Sequence, residues 1–290
     1  AARPSASWFC PHFFIMTRYP LSSYKGERAE VSIGNVSFRE DAFVTIAGPC
    51  SVESQEQILK TAETVSMLGA SILRGGTYKY RKSPYTFSGL KEKGVDYLVE
   101  ASKKASLPVV TEVMSVEKVN YLAQKVDMLQ IGSRNMHNTP LLKEVGKINK
   151  PVILKRGYMA TIEETLLAAE HIAKEGNESI VLCERGIRCF DNSLRFTLDL
   201  AGAILLKESS KFPVIIDPSH ATGRSNLVKP LCLAALAAGL NGIMVEVHPE
   251  PRKALSDSEQ SLTFDEFADL MDSLSIFSKN ENKITQKFGD

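Results

Sequence analysis

The chain holds eight short apolar, β-rich runs, and nearly every run closes on a side chain able to do chemistry. In order the closing residues are Cys50, Arg74, Glu112, Arg134, Lys155, Glu184 with Arg185, His220, and Glu246 with His248. They separate by type. Arg74, Arg134, Lys155 and Arg185 are cations, joined by Lys79, Arg81 and Lys82 in the stretch after the second run. Cys50, His220 and Glu246, with Asp257 beyond the last run, offer a thiolate, an imidazole and two carboxylates. Such a mixed donor set suits one borderline divalent ion such as Mn, Fe, Co or Zn, and suits Mg or Ca poorly. Arg at high density is the usual means of gripping phosphate and carboxylate. The combined chemistry is that of anionic substrates held beside a Lewis acid.

Each residue also has a plain structural account. A free cysteine is usually a buried small apolar side chain, which would cover Cys50. His220 reads equally as a loop histidine hydrogen-bonded to Asp217, and Asp257, in LSDSEQSL, as a turn residue or helix cap. Arg81 and Lys82 read as solvated loop charges. The functional reading therefore rests on the set, because charges gathered at one mouth repel one another and are costly to desolvate without a ligand.

The elements that must position these residues are regular. The runs are FVTIAG (43–48), SILRGG (71–76), PVVTEV (108–113), DMLQIG (127–132), PVILKRG (151–157), SIVLCERG (179–186), PVIIDPSH (213–220) and GIMVEVH (242–248). Helical patterns lie between them, including 54–68 and 161–174, the latter opening with Thr161 and Glu164 in capping-box spacing. Continuous apolar strands alternating with helices imply parallel pairing through crossovers. Eight such units point to an α/β chain forming a single (β/α)8 TIM barrel, whose catalytic groups belong at the C-terminal strand ends. An open doubly wound sheet is the alternative, but GPCSVES follows the first run where a glycine-rich nucleotide turn would stand. In a closed ring the eighth strand lies beside the first, so Cys50 meets His220 and Glu246 despite their separation in sequence.

The flanks are read more simply. Residues 1–15 are set aside as an extension ahead of Met16, their apolar patch being too short and interrupted for a signal peptide. Residues 16–42 form a lead-in with a short N-terminal β-hairpin, VSIGNVSF turning at Gly34-Asn35, that caps the barrel bottom. The catalytic barrel is assigned to 43–274, and 275–290 is expected to be a frayed polar tail.

Composition removes whole classes of function. With 35 Lys plus Arg against 34 Asp plus Glu, the net charge of +1 provides no global field for nucleic acid or anionic lipid. The apolar stretch 231–240 is broken by Gly239 and falls short of the roughly 18 residues a membrane span needs. Five cysteines, an odd number without a CxxC pair, argue against a disulfide scaffold or zinc ribbon and for a reducing compartment.

The motifs together resemble the 3-deoxy-D-arabino-heptulosonate 7-phosphate (DAHP) synthases, in the short form without a large regulatory domain. The matching stretches are AGPCSVES, LRGGTYKYRKSPYTFSGL, TEVM, LQIGSRNM, LKRG, LCERGIR, IDPSHATGRS and VEVHPEPRKALSD, spanning about 16–274. The resemblance implies a metal-dependent, aldol-type condensation of phosphoenolpyruvate with erythrose 4-phosphate and water, giving DAHP and phosphate at the entry to the shikimate pathway. It implies Cys50, His220, Glu246 and Asp257 as metal ligands. Arg74, Lys79, Arg134, Lys155 and Arg185 would hold phosphoenolpyruvate, and Arg81 with Ser83 the aldose phosphate. Lys155 is the expected proton donor and Glu112 the expected orienter of the water. A cytoplasmic homodimer or homotetramer is implied as well.

Two stretches depart from the family. KYRKS (79–83) stands where the family commonly has KPRTS, and His137 where it often has Gln. The related 3-deoxy-manno-octulosonate 8-phosphate synthases, which use arabinose 5-phosphate and carry KANRS-like loops, are the same-fold alternative. A barrel that binds phosphosugars without turnover is the alternative from another class.

Overall fold

A computed structural model describes residues 18–79, 83, 85–280 and 284–286. The expectations placed on 1–15, Arg81 and Lys82, and most of those placed on 281–290, lie outside the described residues. The chain opens on a hairpin, β1 (Val31–Ile33) and β2 (Val36–Phe38), paired antiparallel across Gly34-Asn35. Alternating units follow: β3 (Ala42–Gly48), α1 (Gln55–Met67), β4 (Ile72–Arg74), α2 (Lys91–Ala105), β5 (Val109–Glu112), α3 (Val119–Lys125) and β6 (Met128–Ile131). The second half contains α4 (Thr139–Gly146), β7 (Val152–Lys155), α5 (Ile162–Ala173), β8 (Ile180–Glu184), α6 (Leu200–Ser209), β9 (Val214–Ile216), α7 (Pro218–Thr222), α8 (Val228–Ala237), β10 (Gly242–Glu246), α9 (Phe264–Asn280) and β11 (Ile284–Gln286).

Strands β3 to β10 pair in sequence order, all parallel, and β10 returns to β3 through five register pairs from Gly242↔Val44 to Glu246↔Gly48. The sheet is therefore a closed eight-stranded barrel, and the open-sheet alternative is excluded. The strands read as unbroken apolar runs because both of their faces are covered. Their period-2 alternation separates two cores. Val44, Ile46, Ile72, Val110, Met128, Ile153, Val181, Ile215 and Met244 point inward, and the hairpin's Val31, Ile33, Val36 and Phe38 pack into the same cluster. The outward set, including Phe43, Leu73, Val109, Leu129, Val152 and Leu154, meets the helices. The hairpin fills one end of the ring from inside.

Local signals fix the helices. Ser54 caps α1 by accepting from Gln57 N, and Thr161 with Glu164 completes both halves of a capping box on α5, each cap contributing about 1 kcal/mol. Two boundaries differ from the sequence reading. The seventh run stops as a strand at Ile216, because Asp217 caps a new helix with Pro218 in its first turn, and His220 rides on that helix. At the other end regular structure runs past 274. α9 continues to Asn280, burying Phe267, Leu270 and Leu274 at helical spacing, and Ile284–Gln286 pairs parallel with Ala42–Val44. The helical period carried on beneath a polar composition.

Candidate active site

At the C-terminal end of the ring, Cys50 lies two residues past β3 and Glu246 closes β10, so the register that seals the barrel brings them together. α7 delivers His220, and the loop after β10 delivers Asp257 with φ +51. A left-handed aspartate is a modest strain, of the kind often stored at functional sites. One donor atom from each of Cys50, His220, Glu246 and Asp257 lies within 4.8 Å of the others. Cys50 Sγ is 3.1 Å from Asp257 Oδ2, and His220 Nε2 is 3.1 Å from Glu246 Oε1. His220 satisfies both readings of the sequence at once, since its Nδ1 lies 2.8 Å from Asp217 Oδ2 while Nε2 faces the cluster. Asp257 likewise both shapes a turn and joins the cluster.

The electrostatics suit a cation here. Burial, reinforced by Glu246, pushes the Cys50 thiol up to about 12. Burial, the largest single influence, would raise the Glu246 and Asp257 carboxyls, but His220 together with Arg74 at Glu246 and with Arg195 at Asp257 outweighs it, and both are held below the usual carboxylate range. Burial keeps His220 below an ordinary imidazole despite Asp217 and Glu246. Two ionised carboxylates and a neutral imidazole are ligand-ready, and the thiol completes the set once it loses its proton.

The cations gather beside this cluster. Arg74, Lys79, Arg134, Lys155 and Arg185 line one cavity of about 90 Å³, together with Glu112, His220 and Asp257. Their mutual repulsion is smaller than the sequence suggested, because three already have partners. Arg74 donates to Glu246 Oε1 at 2.8 Å, Lys79 Nζ to Cys50 Sγ at 2.9 Å, and Lys155 to Asp217. Arg185 differs. It is 3% exposed, and its Nη1 is buried with no hydrogen-bond partner. An unpartnered guanidinium nitrogen in an anion-sized cavity is the mark of a missing acceptor. Burial lowers Arg185 from its usual range against the pull of Asp217.

Glu112 reaches this cavity because Gly132 has no side chain; a Cβ there would fall 2.0 Å from Glu112 Oε1. Ser83 is bound within its own loop, accepting from Tyr85 N at 3.3 Å, and is not among the cavity's lining residues. Glu184 and His248 end strands yet point elsewhere. Glu184 pairs with Arg156 at 3.0 Å, and His248 Nε2 lies 3.4 Å from Glu53. Sequence reasoning missed a supporting layer. Gln260 donates to Glu246 Oε2 at 2.6 Å, and Arg195 bridges Asp257 at 3.1 Å and Gln260 at 2.7 Å. Asp217 had a signal, an N-cap preceding Pro218; Gln260 and Arg195 had none.

Comparison with known proteins shows what the chain as a whole is similar to. The model of the family described as DAHP synthetase I matches residues 23–280. A Thermotoga maritima protein named phospho-2-dehydro-3-deoxyheptonate aldolase is 49% identical over 259 residues, covering 89% of this chain and 77% of that one. A Geobacter sulfurreducens 2-dehydro-3-deoxyphosphooctonate aldolase is 30% identical over 264 residues, covering 84% and 96%. The crystal structure of the T. maritima DAHP synthase superposes with a TM-score of 0.89 at 47% identity, covering 92% of this chain and 78% of that one. Its truncated form gives 0.87 at 44% identity, covering 93% and 100%.

Proposed function

The chain belongs to the DAHP synthetase I family and is a 3-deoxy-7-phosphoheptulonate synthase, and from that premise we propose that it condenses phosphoenolpyruvate with erythrose 4-phosphate and water in a metal-dependent reaction. The observation that carries this reading is one cavity lined both by His220 and Asp257 of the four-donor cluster and by a buried arginine whose Nη1 has no hydrogen-bond partner. Cys50, His220, Glu246 and Asp257 would hold the ion, and their mixed donors favour Mn, Fe, Co or Zn. When bound, such an ion supplies Lewis acidity toward an aldehyde oxygen.

The rest of the work falls to the chain. Arg134 and Arg185 hold the phosphate of phosphoenolpyruvate, and Arg74 and Lys79 its carboxylate, fixing the enol carbon toward the aldehyde. Arg81 and Ser83 take the aldose phosphate. As C3 of the enol phosphate bonds to the aldehyde carbon, Lys155 gives a proton to the new hydroxyl. Glu112 orients the water that adds at C2, and phosphate then leaves C2 to uncover the ketone. A neighbouring cavity of about 620 Å³ shares Glu112, Ser133, Arg134 and Tyr158 with the first, and Ser83 lines neither. Among the described residues no helix is long and apolar enough to cross a membrane. A cytoplasmic homodimer or homotetramer completes the reading.

The test is the loss of phosphoenolpyruvate absorbance with erythrose 4-phosphate or arabinose 5-phosphate, each with Mn and with chelator. The expected result is rapid, chelator-sensitive loss with the four-carbon sugar alone. Preference for the five-carbon sugar would reassign the acceptor, a point that the KYRKS loop makes worth measuring. Turnover insensitive to chelator would remove the metal from the reading.

A further inference from the structure

Arg185 presents a physical problem. A guanidinium withdrawn from water normally finds a carboxylate, and Asp217, whose charge reaches it, is already engaged by Lys155 and His220. What Arg185 has instead is aromatic. Tyr158 and Phe196 stack with ring centroids 4.7 Å apart and planes 7° from parallel. Arg185 Cζ lies 4.8 Å from the Tyr158 centroid and 4.5 Å from that of Phe196, so the three centres form a nearly equilateral triangle. Arg134 shares the platform, its Cζ 5.6 Å from the Tyr158 centroid.

The stack is built into the fold. Tyr158 follows β7, and its carbonyl accepts from Arg188 N at 2.8 Å; Phe196 N donates to Ala221 O at 2.8 Å beside α7. Gly186, directly after Arg185, has φ +96, and a Cβ there would fall 2.7 Å from Phe196 Cβ. The backbone at this turn is shaped to admit the phenylalanine.

Resting on the phosphoenolpyruvate reading above, we propose that Tyr158 and Phe196 are positioning residues for Arg185, the stacked pair presenting a π-face backed by the second ring in place of a carboxylate, so that the guanidinium's hydrogen-bonding capacity is kept for the substrate anion. A carboxylate would fix the arginine equally well but would occupy the donors and oppose an incoming phosphate. An aromatic face steadies the cation without accepting those bonds. Phe196 acts through Arg185 and has no role in the chemistry itself.

The experiment measures phosphoenolpyruvate binding by calorimetry in the absence of aldose for the wild-type protein and for Phe196→Leu, Phe196→Tyr, Tyr158→Leu and Arg185→Met, with Co(II) affinity as a control for the fold. Phe196→Leu and Tyr158→Leu are expected to weaken phosphoenolpyruvate by about tenfold. Phe196→Tyr should restore it to near wild type, and Co(II) affinity should stay constant throughout. Leucine keeps an apolar side chain but no π-face, so equal binding by Phe196→Leu and wild type overturns the proposal. Equal loss in the Leu and Tyr variants overturns it as well, by making shape the determinant. Loss in Arg185→Met with wild-type binding in both leucine variants sinks the aromatic role and spares the substrate reading. Undiminished binding in Arg185→Met removes the substrate reading of Arg185, and this proposal with it.

Discussion

Gln260 donates its side-chain amide to Glu246 Oε2 at 2.6 Å, both groups being buried. This bond holds one oxygen of Glu246 still while the other, Oε1, faces His220 and Arg74. Replacing Gln260 by Leu leaves that carboxylate oxygen unsatisfied and free to turn. Groups that orient metal ligands typically account for about 10- to 100-fold in affinity. We expect a loss of that size for Co(II), read by chelator competition; an unchanged affinity would show that Gln260 serves packing alone.

Asp217 is 0% exposed and accepts from both Lys155 and His220. Asp217→Asn should destabilise the fold by about 3 to 5 kcal/mol, because it leaves the buried Lys155 ammonium without its counter-charge. Urea denaturation checks this. Lys155→Met removes the charge together with the proposed proton donor, so it should spare metal affinity and lower kcat by about 10²- to 10⁴-fold. An unchanged kcat would refute the acid role.

Cys50 gives a pH dependence with a definite sign. Its thiol is pushed up to about 12 by burial and by Glu246, so at neutral pH the metal-free protein holds that proton. Coordination needs the thiolate, and about one proton must leave for each ion bound. Affinity should then rise about tenfold per pH unit, from neutrality up to the thiol's own range. Calorimetry in two buffers of different ionisation enthalpy counts the proton; a count of zero would remove Cys50 from the ligand set.

Gly132 gives access to Glu112 by steric means. A Cβ at 132 would meet Glu112 Oε1 at 2.0 Å and drive that carboxylate from its place. Gly132→Ala should lower kcat by about 10²-fold, the scale of a displacement near 1 Å at a reacting centre. Glu112→Gln, which keeps the shape, separates displacement from charge. Full activity in both variants would end the proposed role of Glu112 in orienting water.

How much of this was legible in the sequence depends on the range of each interaction. The strands, the capping box at Thr161 and the hairpin at Gly34-Asn35 are local, and the structure places them where the pattern does. The four metal-type donors were legible because ring closure is itself a pattern, eight repeats that must meet. Glu184 and His248 looked equally reactive, but Arg156 pairs with the first and the second lies beside Glu53, away from the cluster, and no spacing rule links those pairs. Gln260 and Arg195 escaped for the same reason: their roles exist only once the loops after β10 and β8 lie side by side. The end of α9 was missed because polar composition outweighed a helical period that persists to Asn280.

The seam between β3 and β10 has a consequence for the order of events in folding. Cys50 belongs to the first unit of the barrel, whereas Glu246 and Asp257 arrive with the last, and the five register pairs of that seam bring the two together. Contacts so distant in sequence form late, since their loop-closure entropy must be met before they reward it. A growing chain can present Cys50 or His220 singly, but the complete donor set exists only in the closed ring. An ion that binds all four selects finished molecules over partial ones and stabilises the closed state by mass action. Metal loading at the proposed site would therefore report that the last strand has docked.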